Sequence, residues 1–149
     1  MRMTFQVAAA LVVVVVLASC VTGGTVTPLH EAVRDGNGAR ARAEVEGGAN
    51  VNAADEEGRT PLHYACATGD GALADFLLNS GADPNVQDAS GETPLHYAAN
   101  NCYVSIVEML LAHGADPGIV NGQGARALDL ARSIECVEAV GLLESVTVE

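Results

Sequence analysis

From Thr27 onward the chain repeats itself every 33 residues. Thr27-Pro28-Leu29-His30-Glu31-Ala32 returns as Thr60-Pro61-Leu62-His63-Tyr64-Ala65, and again as Thr93-Pro94-Leu95-His96-Tyr97-Ala98. A fourth copy falls due at 126, where Arg126-Ala127-Leu128-Asp129-Leu130-Ala131 keeps the Leu and the final Ala. A second motif recurs in phase: Gly48-Ala49-Asn50-Val51-Asn52, Gly81-Ala82-Asp83-Pro84-Asn85 and Gly114-Ala115-Asp116-Pro117-Gly118. A fixed period of this length marks a stack of supersecondary units, none of which can bury its apolar face alone.

The second copy shows what one unit is. Thr60 suits an N-cap, its hydroxyl free to accept an orphan backbone N–H. Pro61 takes the first helical position, where a missing N–H costs nothing. Leu62 and Ala65 point inward, and Ala65, Cys66 and Ala67 are small enough for neighbouring helices to approach closely. Gly69 stops this helix. Leu73, Phe76, Leu77 and Leu78 form the apolar face of a second, antiparallel helix. Gly81 ends it, and Asp83 to Gly91 makes a projecting turn before the next Thr.

These motifs resemble the ankyrin repeat over residues 27 to 143. The resemblance implies an all-α solenoid of about four repeats, starting near 27, 60, 93 and 126, with a repeat domain over 27–149. The end copies depart from the pattern as caps should. In the first, Arg40 and Glu44 replace apolar residues of the second helix, leaving Ala41, Ala43 and Val45. In the last, Arg126-Ala127 replaces Thr-Pro, and Ala139, Val140, Leu142 and Leu143 supply the final helix.

The segment before Thr27 reads as an address. Arg2 is the only charged residue ahead of Glu31, and Val7 to Ala18 is apolar throughout. A bilayer-spanning helix needs about 20 apolar residues, so the run fits a secretory h-region behind a short positive start. Its exit, Leu17-Ala18-Ser19-Cys20, is similar to the lipobox of bacterial lipoproteins. That resemblance implies a signal peptide over 1–19, lipidation of the Cys20 sulfur and a short tether over 20–26. The alternative is an ordinary signal cut after Ala18 or Ser19, with Cys20 a free thiol. Val21, rather than an Asp, follows the Cys and favours the outer membrane by resemblance, if the organism has one. The expected location is thus the bacterial envelope, lipid-anchored and facing the periplasm.

The chain carries 19 acidic residues against seven arginines and no lysine, a net charge of −12. Removing Arg2 with the leader leaves six bases against 19 acids, or −13. No basic stripe is available to neutralise phosphates, which argues against nucleic acid. The folded domain has no electrostatic attraction to an anionic membrane either. A basic protein partner is favoured and a monomer is expected.

Catalytic chemistry is absent from the pattern. His30, His63 and His96 belong to the repeated turn, where the family uses this histidine to hold the turn by hydrogen bonding. Stacked units set them about 10 Å apart, too far to share one zinc ion. His113 suits the C-terminal end of a helix. Asp55-Glu56-Glu57 reads as a solvated turn tip rather than a metal site. No nucleophile sits in a recognisable motif and no Gly-rich loop has phosphate-cradle spacing. Neither enzyme activity, metal nor cofactor is expected.

Three cysteines remain after Cys20. Cys66 falls on a buried small-residue position and reads as core. Cys102 stands where the second copy has Gly69, with Asn100-Asn101 able to take the left-handed conformation instead. Cys136 lies one register position further on in the next copy. In an oxidising compartment Cys102 and Cys136 are candidates for a disulfide worth roughly 3–4 kcal/mol in the chain-entropy account; free thiols are the alternative.

In ankyrin proteins partners bind the turn tips and the exposed edge of the first helices. Carried over by position, the tips are Glu56, Glu57, Arg59, Ala89, Ser90, Glu92, Gly122 and Gln123. The helix-edge positions are Tyr64, Thr68, Tyr97, Asn100 and Asn101. Tyr64 and Tyr97 lie one period apart and should stack side by side, either as binding hot spots or as covers of the groove between repeats. Two functions follow from the resemblance: a membrane-anchored adaptor or scaffold in the envelope, or an immunity-type inhibitor that neutralises a toxin or enzyme in the periplasm.

Overall fold

A computed structural model describes residues 24–147. The leader, Cys20 and the tether up to residue 23 lie outside the described residues. Within them are eight helices and no strand, arranged as four antiparallel pairs. These are α1 (Pro28–Arg34) with α2 (Gly38–Glu46), α3 (Pro61–Thr68) with α4 (Gly71–Asn79), α5 (Pro94–Asn100) with α6 (Val104–Ala112), and α7 (Ala127–Ser133) with α8 (Val137–Val146). The all-α repeat stack expected from the period is therefore the fold.

Each first helix begins through its histidine. The Thr60 N–H donates to His63 Nδ1 at 3.0 Å, and the Thr60 hydroxyl lies 2.9 Å from the same nitrogen. A backbone N–H can only donate, so Nδ1 is the acceptor and the ring proton sits on Nε2. Nε2–H in turn donates to the Glu92 carbonyl, 29 residues on, at 3.1 Å. His30 repeats the arrangement toward Arg59 O and His96 toward Ala125 O. The Thr hydroxyl thus serves the histidine as well as the helix start, in a capping box where the imidazole reaches back and, in the first unit, Thr27 Oγ1 accepts the His30 N–H at 3.4 Å. Burial pushes the His63 pKa below the ordinary imidazole value, which keeps the ring neutral and Nδ1 able to accept. In the fourth unit Asp129 stands in this place and accepts the Arg126 N–H at 2.9 Å.

The first helices pack more closely on one another than the second helices do. Ala32, Ala65, Cys66, Ala98, Ala99 and Ala131 are completely buried, so no bulk separates the backbones there. Burial also pushes the Cys66 thiol pKa up, consistent with a core residue that stays protonated. Leu73, Leu77, Ile106, Leu110 and Leu143 fill the space between the inner and outer rows. In the first unit only Ala41 of α2 is buried. Its charged residues are engaged instead by other charges and by the next unit: Arg40 pairs with Glu31 at 3.1 Å, and the Arg42 guanidinium sits 5.3 Å above the Phe76 ring of the second unit.

A second ladder runs along the loops that follow the outer helices. Asn52 donates to the Gly81 carbonyl and accepts the Asp83 N–H, at 3.1 and 2.8 Å. Asn85 does the same with Gly114 and Asp116, at 3.1 and 2.7 Å. The third copy has Gly118 there, and this ladder stops.

The turns between paired helices hold a third row. Gly36, Gly69, Cys102 and Glu135 share one register position, and all four have positive φ, 66°, 77°, 55° and 58°. Cys102 itself takes the left-handed conformation expected of Asn100-Asn101, whereas Asn101 is at −105°. The chain has to reverse at the residue in register with Gly69, whatever side chain stands there. The next unit covers this position from above. A Cβ on Gly69 would come within 2.7 Å of the Tyr103 ring. One unit later Cys136, in register with Tyr103, is disulfide-bonded to Cys102 across a Cα–Cα distance of 5.7 Å. The disulfide expected between these cysteines is thus the covalent form of a contact that the preceding pair makes by packing.

Gly36 and Gly69 separate the two demands on this position. Gly36→Ala should cost about 1 kcal/mol, the left-handed backbone alone, since a Cβ there meets nothing within 4 Å. Gly69→Ala should cost about 2–3 kcal/mol, because the Tyr103 ring must also move. Urea denaturation of both variants measures the difference, and equal losses would show that the ring yields freely.

Candidate functional site

The projecting turns are built around one carboxylate or amide each. Asp55 Oδ1 accepts the N–H groups of Glu57 and Arg59, both at 2.9 Å. Asp88 accepts from Ser90 and Glu92, and Asn121 from Gln123 and Ala125, at 2.9 to 3.0 Å. Such side-chain bonds to the following backbone fold a short loop into a rigid finger. Asp55 is therefore not a solvated tip residue: it is 4% exposed. Glu56 and Glu57, read with it as one acidic cluster, are exposed.

Neighbouring fingers are joined by their main chains. The Ala89 N–H donates to the Glu57 carbonyl and the Gly122 N–H to the Ser90 carbonyl, both at 2.8 Å. At the second junction the backbones are so close that a Cβ on Gly91 would lie 2.7 Å from the Gly122 nitrogen. The tip residues expected to face a partner, Glu56, Glu57, Ala89, Ser90, Gly122 and Gln123, thus form one continuous exposed row. Arg59 and Glu92 are half-buried at its base.

The helix-edge residues divide differently. The Tyr64 hydroxyl donates to Asp55 Oδ2 at 2.6 Å and the Tyr97 hydroxyl to Asp88 Oδ2 at 2.7 Å. Their rings do not stack on each other. Each stands edge-on to the histidine of the preceding unit, Tyr64 to His30 at 5.9 Å and Tyr97 to His63 at 5.7 Å. Both tyrosines thereby brace a finger against the helix row, and their hydroxyls are engaged within the chain. Thr68, Asn100 and Asn101 lie at the opposite end of the first helices, about 12 Å from the fingers at 1.5 Å per residue. The Thr68 hydroxyl donates to the Tyr64 carbonyl at 3.0 Å, and the Asn101 amide to the Tyr97 carbonyl at 2.9 Å.

Arg59 organises the first finger electrostatically. Its guanidinium contacts Asp55 at 3.4 Å and Glu57 at 2.8 Å, and lies 4.9 Å over the Tyr64 ring. Burial alone would raise the Asp55 pKa. The Tyr64 hydroxyl, the two N–H donors and the Arg59 charge outweigh it and hold the carboxyl below its usual value. Tyr64 and Tyr97 are pushed up by burial and by donation to a carboxylate, so both stay protonated. The arrangement presents shape and charge.

Asp55 and Asp88 are the residues that pattern reading misassigned or passed over. A signal existed: in both units the Asp precedes the Tyr by nine residues. The tyrosine hydroxyl bond is open to direct measurement. Tyr64→Phe should lower stability by about 1–2 kcal/mol, and a double-mutant cycle with Asp55→Asn should return a coupling of about that size. Coupling near zero in urea melts would mean that the ring merely covers the groove.

Comparison with known proteins agrees with this geometry. A family model described as ankyrin repeats (many copies) matches residues 45–98, and the single ankyrin repeat matches residues 90–122. Between them they run without a gap through just over half of the 149 residues. Residues 27–44 of the first unit and all of the last unit fall outside both. No curated protein matches the chain. Ankyrin repeats are protein–protein interaction modules, and by these matches, the 33-residue period and the stacked helix pairs this chain belongs to the ankyrin repeat family.

Proposed function

We propose that the chain is a non-enzymatic, lipid-anchored protein-binding module of the bacterial cell envelope, an adaptor that holds a partner on its finger row close to the membrane. The observation that carries this reading is the finger row itself. Its main chain is fixed by the Asp55, Asp88 and Asn121 turns and by bonds between fingers. The tip side chains of Glu56, Ala89, Ser90 and Gln123 are exposed. A rigid, exposed row loses little freedom on binding, which is what a docking surface needs.

The anchor rests on Leu17-Ala18-Ser19-Cys20, and the disulfide supports the compartment, since such bonds persist outside the reducing cytosol. Gly24 already lies against the first finger, where a Cβ would come within 2.1 Å of the Asp55 carbonyl oxygen. A lipid on Cys20 would leave about 14 Å of extended chain before that contact, keeping the fingers near the bilayer. The outer membrane is favoured over the inner by Val21.

Glu56 and Glu57 project from the row while the Arg59 charge is tied to Asp55 and Glu57. This balance favours a basic partner. The same observation supports a second reading, an immunity-type inhibitor whose acidic row covers the basic site of a toxin or enzyme in the periplasm. In that case the captured partner would be an enzyme, and adding this protein would suppress its activity.

Two variants test the reading. Glu56→Lys combined with Glu57→Lys should reduce capture of a partner from envelope extract at least about tenfold, the loss of about 1.4 kcal/mol of complementary charge. Undiminished capture of the same proteins moves the site away from the fingers. Cys20→Ala should abolish metabolic labelling by fatty acid, and retained labelling refutes the anchor.

A further inference from the structure

The crevice between the helix-joining turns of the first two units is open where the corresponding crevices of the later units are filled. It is a shallow, solvent-open hollow of about 490 Å³ between residues 34–36 and 68–71. One unit on, the Tyr103 ring occupies the equivalent place, covering Gly69. Two units on, Cys136 covers Cys102 through the disulfide. In register with them at the first junction is Asp70, whose carboxylate turns back and accepts the Leu73 N–H at 3.0 Å. Nothing therefore covers Gly36: a Cβ built there meets no atom within 4 Å. Yet Gly36 has the same left-handed backbone as Gly69, φ 66° against 77°.

We propose that this crevice is a docking subsite for an aromatic side chain of a protein partner, carried beside a cationic group. The ring is specified by the internal template, because Tyr103 shows what shape fits over this turn. The cation is specified by charge. Asp35 and Asp70 flank the crevice against the single guanidinium of Arg34, which lies 3.6 Å from Asp35. A ring packed on the bare turn with an ammonium or guanidinium near both carboxylates satisfies each demand. The subsite sits at the far end of the first helices from the fingers and extends the contact surface beyond the finger row. The identity of the occupant as a protein group rests on the protein-binding reading, but the crevice is tested without any partner.

The test is an amide NMR titration of the protein with tyramine, a phenol ring bearing an ammonium, and with butylamine, the same charge without a ring. Tyramine should shift the Gly36, Gly69 and Gly71 amides saturably at millimolar concentration. Butylamine should bind at least about fivefold more weakly, a difference of about 1 kcal/mol. Asp70→Tyr rebuilds the arrangement of the third unit and should abolish the response by filling the crevice. The helix after Tyr103 starts without a side-chain cap bond, so loss of the Asp70 cap has a precedent in the same molecule. Asp70→Asn keeps the cap oxygen and removes the charge, and should weaken tyramine while leaving the fold unchanged. Absence of a saturable shift, equal response to butylamine, persistence in Asp70→Tyr or undiminished affinity in Asp70→Asn each overturns the proposal. Loss of protein capture with tyramine binding intact would instead count against the protein-binding reading.

Discussion

The stack depends on a neutral imidazole held between two backbones. His30, His63 and His96 each accept an N–H from the start of their own helix and donate to a carbonyl 29 residues later. One side chain therefore starts a helix and ties it to the next unit. An isolated helix of seven or eight residues is far below the length that is stable in water. Only coupling to a neighbour makes such helices persist, and the histidine supplies that coupling at each interface between first helices. The ring is nearly inaccessible at all three sites, so water offers no substitute for either bond.

The three interfaces differ on the opposite side of the helices. The first has a bare turn at Gly36, the second a tyrosine ring over Gly69, and the third a covalent link from Cys102 to Cys136. The fourth unit lacks the Thr-Pro start, the histidine and the tyrosine, and Gly118 ends the asparagine ladder before it. It lacks these repeated bonds, and it is the unit that is cross-linked. Closing a 34-residue separation restores stability of roughly 3–4 kcal/mol by the chain-entropy account.

The fold was legible because the period is a long-range signal written in local residues. Pro61, Gly69 and the leucines of the second helix each report one backbone or burial requirement, and the 33-residue recurrence makes them mutually confirming. The disulfide candidates were legible for the same reason, by register. The finger geometry was harder to read. Asp55 looks like one of three adjacent acids, and only the fold brings it under Tyr64 and Arg59. Asn100-Asn101 looked better suited than Cys102 to a left-handed turn by intrinsic preference. Register overrode preference there, since the chain must reverse at the residue aligned with Gly69. The tyrosines stand out by position, but the bonds of their hydroxyls to Asp55 and Asp88 cannot be read from spacing alone.

The main-chain bonds between fingers separate two properties that are usually entangled. Ala89 N–H to Glu57 O and Gly122 N–H to Ser90 O hold the row without using a tip side chain. Asp55, Asp88 and Asn121, the left-handed Gly58, Gly91 and Gly124, and the closely approached Gly122 must keep their identity for the turns to form and join. The exposed positions between them can therefore drift or be selected with little penalty to folding. Specificity on this surface is free to change faster than the architecture that displays it, so related chains could keep the stack and recognise unrelated proteins.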